Sequence, residues 1–170
     1  MARTVGVGIQ DFSKIIEKDC FYIDKTAFIK EWWEGEDEVT LITRPRRFGK
    51  TLNMSMVETF FSVGYANRGN LFEGLSIWQE EKYRNLQGKY PVISLSFANV
   101  KESNFKAVSY RIRQLLMNLY KKYDFLRKSS ILSESEVIYF EKMASEMSEL
   151  DAPMALYQLS DYLYRYYGKK

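Results

Sequence analysis

Apolar positions recur at helical spacing over much of this chain. Residues 104–123, "NFKAVSYRIRQLLMNLYKKY", place Phe105, Val108, Ile112, Leu115, Leu116 and Leu119 along one stripe, which predicts a long amphipathic helix. Residues 133–150 form a second such segment, opened by Ser133 and Glu136 at capping-box spacing. A third begins near Pro153 and stops at Gly168. Earlier in the chain, Ala27, Phe28, Trp32 and Trp33 line a helix that Asp24 can cap and Gly35 can end. Leu52, Met56 and Phe60 repeat the period just after Gly49. Shorter runs read differently. "EVTLIT", residues 38–43, is brief, β-branched and apolar, the pattern of a strand covered on both faces. "YPVISLSF", residues 90–97, is a second strand with Pro91 at its tolerated first position, and "FYI" is a short third. Residues 62–78 carry three of the nine glycines and read as a connecting loop with a docked "LFEGL" turn.

Strands alternating with helices predict an α/β fold with a mostly parallel sheet. Two or three strands are too few to complete such a layer, so the pattern reads as part of a larger sheet.

Composition narrows the chemistry. At 170 residues and 46% hydrophobic, the chain can bury one sizeable core. Its 25 basic and 22 acidic residues leave a net charge of +3, too balanced to argue alone for nucleic acid or an anionic membrane. No apolar run reaches the length of a membrane span, and "MARTVGVGIQDF" lacks the apolar centre of a signal peptide, so the expected location is cytoplasmic. Cys20 is the only cysteine and reads as a buried, inert thiol. With no histidine in the sequence, His-based triads, general bases and metal ligands drop out for these residues.

The most chemical stretch is "RPRRFGKT", residues 44–51. A polyphosphate site needs a strand, a turn that aims backbone N–H groups inward, a lysine, and a Ser or Thr opening the next helix. "EVTLIT" offers the strand, Gly49 the close backbone approach, Lys50 the ammonium and Thr51 a hydroxyl for Mg²⁺. The usual first glycine of such a loop is Arg44 here, and Pro45 fixes the following φ near −65°. On residues alone the alternatives stay open: a phosphate loop, a basic turn that only starts a helix, or a small nucleic-acid patch built on the arginines.

Five segments in order, "VGIQDF", "FYIDKT", "ITRPRRFGKTLNMSMVETFF", "LFEGLSI" and "YPVISLSF", resemble the AAA-ATPase-like domain of bacterial and archaeal proteins whose loop reads Pro-Arg-Arg-Phe-Gly-Lys-Thr. The resemblance implies a partial three-layer P-loop NTPase-like α/β fold with a helical insertion, truncated before its Walker B strand. It implies one domain over 1–170: an N-terminal segment (1–36), strand, loop and helix (37–62), loop and second strand (63–100) and a helical region (101–170). It also implies ATP or ADP with Mg²⁺ as cofactor, without hydrolysis by this stretch alone, because "VISLSFANV" ends with no carboxylate. The family's nuclease-like C-terminal domain would be the route to any nucleic acid. An unpaired sheet edge would favour a homo-oligomer, and no membrane partner is expected.

On this resemblance the nucleotide contacts are Arg46, Arg47, Phe48, Gly49, Lys50, Thr51 and Leu52, with Thr51 on the metal and Phe48 an apolar anchor for the loop. Ile9 and Gln10 are candidate base contacts, while Phe12 reads as core. Asp24 reads as a helix cap; a role for Asp24, Lys25 or Thr26 beside the loop is the lesser alternative. The rival function is a nucleotide-independent interaction module that keeps the loop but has lost phosphate binding.

Overall fold

The computed structural model describes residues 3–45 and 47–169. Among them the regular structure is helical: α1 (Phe12–Glu17), α2 (Ala27–Gly35), α3 (Lys50–Phe61), α4 (Glu81–Arg84), α5 (Phe105–Lys122), α6 (Glu134–Ser145) and α7 (Ala152–Tyr167), with short 3-10 turns between them. The chain divides into two compact units, one ending at Val92 and the other beginning at Ile93.

In the first unit, α1, α2 and α3 close around Phe12, Ile29, Met56, Phe60, Leu71, Phe72, Ile77 and Tyr83, all buried. Aromatic packing dominates: Phe12 stacks on Phe72 with ring centroids 5.0 Å apart, and Phe60 meets Phe72 edge-on at 5.1 Å. The amide of Phe12 donates to Ser55 Oγ at 3.0 Å, tying α1 to α3. Cys20 is buried and Tyr22 donates its hydroxyl to Met56 Sδ at 3.3 Å, where burial pushes the phenol up to about 12.

The second unit packs α5, α6 and α7 around Leu116, Leu119, Tyr120, Phe140, Met143, Leu159 and Tyr162. Asn104 caps α5 through Ala107 N, and Ser133 and Glu136 form a complete capping box on α6. Gly168, at φ 65°, ends α7 in the left-handed conformation that favours glycine.

The expected mostly parallel sheet is not formed. Among the described residues there is no β-strand, only an isolated bridge between Ser62 and Tyr90. "EVTLIT" is irregular and uncovered, with Val39 87% and Leu41 83% exposed. The β-like composition of these runs describes a surface fit for pairing, but a strand exists only where a neighbour takes its backbone hydrogen bonds. At "YPVISLSF" the local partner is a helix end instead. Gly88 N donates to Phe60 O at 2.8 Å and Tyr90 N to Phe61 O at 2.9 Å, which satisfies two of the last carbonyls of α3. Gly88 sits at φ 67°, and a Cβ there would fall 2.3 Å from Ala66 Cα, so only glycine allows this approach. Beyond it, Ile93 and Leu95 pack on the second core while Ser94 and Ser96 are exposed, which accounts for the alternation without a ladder. "FYI" is likewise irregular. The sheet edge on which self-association was expected is therefore not present among the described residues.

Candidate functional site

The loop before α3 is built by backbone conformation more than by side-chain packing. Arg47 lies at φ 69° and Gly49 at φ 77°, two left-handed residues that turn the chain sharply into the helix. Among the described residues a Cβ on Gly49 would meet only Lys25 Nζ, at the ordinary distance of 3.5 Å. Within the protein, therefore, glycine is needed there for its φ and not for space. Gly49 is the N-cap of α3, and among the described residues no side chain caps the first turn. The helix start thus leaves its first donors and its partial positive charge without a side-chain partner among the described residues.

Lys50 folds back over this turn. Its Nζ donates to the carbonyl oxygens of Pro45, at 2.9 Å, and of Arg44. From the other side, Lys25 Nζ donates to Phe48 O at 3.5 Å. Two ammonium groups therefore rest on carbonyls of one short loop. Arg44 reaches back to Thr43 O at 3.1 Å, and Arg47 is exposed. No acidic residue occupies the first turn of α3.

Each expected contact has a place. Thr51 is exposed on the first turn of α3, and Leu52 is half-buried against the first core. Phe48 is 59% exposed, so it does not anchor the loop in apolar surroundings. Arg46 lies outside the described residues. Ile9 is half-buried beside Gly6, and Gln10 is exposed; among the described residues no hydrogen bond joins either to residues 44–51.

Asp24 departs from its expected role. The N-cap of α2 is Thr26, and it makes no side-chain capping bond. Asp24 instead works as a latch. Its Oδ1 accepts from Thr26 N at 2.8 Å and Thr26 Oγ1 at 2.7 Å, while its Oδ2 accepts from Ser76 N at 2.7 Å and Ser76 Oγ at 2.5 Å. Thr26 Oγ1 in turn accepts from Ile77 N at 3.1 Å, and Thr26 is fully buried. Burial raises the Asp24 carboxyl, but the hydrogen bonds from Ser76 and Thr26 outweigh it and hold the group below its usual range. The two ends of this latch are 52 residues apart, so no local signal in the sequence pairs them. Lys25, carried between the two latched residues, faces the loop through its contact to Phe48 O.

Among the described residues no group of three or more His, Cys, Asp or Glu side chains is placed to hold a metal. A phosphate-bound Mg²⁺ does not require one, since it takes one or two protein oxygens and completes its shell with phosphate and water. The Thr51 hydroxyl is a donor of that kind. No helix among the described residues is long and apolar enough to cross a membrane.

A helix-opening loop with a folded-back lysine and an uncapped N-terminus is the class of feature that nucleotide-binding proteins use to hold phosphate. Residues 6–170 match the family model described as "Predicted AAA-ATPase", and the chain belongs to this AAA-ATPase-like family. It is also 32% identical over 115 residues to an "Uncharacterized protein in vnfD 5'region" of Azotobacter chroococcum mcd 1, a match covering 67% of this chain and 21% of that protein. The chain thus spans about a fifth of that relative's length. No solved structure matches it significantly.

Proposed function

We propose that residues 44–51 bind the polyphosphate of ATP or ADP, with Mg²⁺ held against the phosphates by Thr51. The observation that carries this reading is Lys50 poised on the carbonyls of Arg44 and Pro45 at the uncapped start of α3. A carbonyl is a weaker partner for an ammonium than a phosphate oxygen, so an arriving phosphate displaces it at little cost. The amides of the first helical turn supply further donors, and their partial charge adds to that of Lys50. Gly49 keeps the turn open, and Leu52 fixes the helix to the core below it. Arg46 and Arg47 supplement the charge from the turn, and Ile9 and Gln10 serve as contacts for the base. Membership of a predicted AAA-ATPase family supports the nucleotide as ligand.

Isothermal titration with Mg-ATP and Mg-ADP tests it. The native chain binds both, and Lys50→Ala weakens binding by at least about tenfold, the loss expected for one charge-assisted contact. No binding heat in the native chain would transfer the reading to the nucleotide-independent interaction module, and equal affinity in the two proteins would remove Lys50 from the phosphate contact.

A further inference from the structure

Two sequence segments outside the phosphate loop, "FYIDKT" and "LFEGLSI", are joined by the Asp24 latch, and the product of that junction is the position of Lys25. We propose that Lys25 is a second polyphosphate-binding cation, held beside the loop by the latch, and that it sets the preference of the site for long phosphate chains over short ones. The inference rests on the reading of residues 44–51 as a phosphate site.

Geometry and charge carry it. The neighbouring carboxylate is the obvious partner for a lysine at this position, yet both Asp24 oxygens are occupied by Ser76 and Thr26. Among the described residues no carboxylate lies within ion-pairing distance of Lys25, and the one hydrogen bond of its ammonium is the long 3.5 Å contact to Phe48 O. Its side chain is exposed, so it holds no core together. Most solvent-facing lysines are mobile, but the segment carrying this one is fixed on both sides. Asp24 is bonded to Ser76, and Thr26 is buried and bonded to Ile77. An ammonium fixed in direction, without a counter-ion, and 3.5 Å from the Cβ position of the loop glycine is placed to meet an anion bound at the loop. Lys50 approaches from the Arg44–Pro45 limb and Lys25 from the Phe48 limb. A single phosphate satisfies one of them; a di- or triphosphate has the length and charge to engage both. Carbonyl contacts also give Lys25 a purely mechanical alternative, that of bracing the loop, and the test must separate the two.

Affinities for AMP, ADP, ATP and inorganic tripolyphosphate are measured with the native protein, Lys25→Ala, Lys25→Gln, Lys25→Arg and Lys50→Ala at two salt concentrations. The expected result is a loss of about tenfold for ATP and tripolyphosphate in Lys25→Ala and Lys25→Gln, a much smaller change for AMP, recovery in Lys25→Arg, and a shallower salt dependence. Glutamine keeps most of the stem but is one atom too short for the 3.5 Å contact to Phe48 O, so the phosphate series separates charge from brace: loss of a brace weakens AMP, ADP and ATP alike, whereas loss of a second cation weakens the longer chains and flattens the salt dependence. Native-like affinity in Lys25→Ala beside a loss in Lys50→Ala overturns the role of Lys25 and leaves the phosphate loop standing. Failure of the native protein to bind ATP or tripolyphosphate overturns the loop reading and this inference together.

Discussion

Gly49 and Asp24 are where single atoms decide the site. A Cβ at Gly49 has room, so Gly49→Ala costs only what the left-handed backbone costs an L-residue, about 1–2 kcal/mol. For a chain of this size the thermal midpoint should fall by roughly 2–8 °C, with Gly49→Asn less affected because asparagine tolerates that conformation. Equal losses in the two variants would show that space, not φ, selects glycine. Asp24 gives a pH-dependent prediction. Its folded carboxyl is held below the ordinary range, so the unfolded chain takes up the proton first. The stability it confers is complete above the unfolded value near ~4 and is lost as the pH falls through the lowered folded value. Urea midpoints from pH 7 to pH 3 should therefore fall more steeply for the native protein than for Asp24→Asn, which starts about 1 kcal/mol less stable at neutral pH. Parallel curves would remove the latch from the stability of the first unit.

At the scale of elements, helix boundaries were legible wherever a cap lies next to its helix. The Ser133 and Glu136 pair and Gly168 are local signals that act as the sequence predicts, and Asn104, equally local, caps α5. Ser133 supports more than its own helix, because Glu136 also pairs with Arg165 of α7 at 2.6 Å. Ser133→Ala should cost about 1 kcal/mol by urea unfolding, and a change within error would mean that Glu136 alone secures the start of α6. Strands were not legible in the same way. The alternation at Ile93 to Ser96 and the β-branched run at 38–43 are real patterns. A ladder, however, depends on a partner that no short window contains, and the chain satisfies Gly88 and Tyr90 on the end of α3. The same limit hid the latch, since Asp24 and Ser76 meet only in three dimensions.

The molecule as a whole holds two units, each with its own buried core, and the proposed phosphate loop belongs to the first. Its place was legible because "RPRRFGKT" is contiguous; the nearness of Lys25 was not, because folding brings it from a separate segment. Family membership over residues 6–170 gives the nucleotide reading its context, and the geometry around Lys50 gives it residues. The most direct test is thermal unfolding with and without Mg-ATP, for the native chain and Lys50→Ala. Ligand at a hundred times its dissociation constant adds about 2.7 kcal/mol to stability, which for this length raises the midpoint by roughly 5–10 °C. The account predicts that rise in the native chain and its loss in Lys50→Ala. An unchanged midpoint in the native chain, or an equal rise in both proteins, would contradict it.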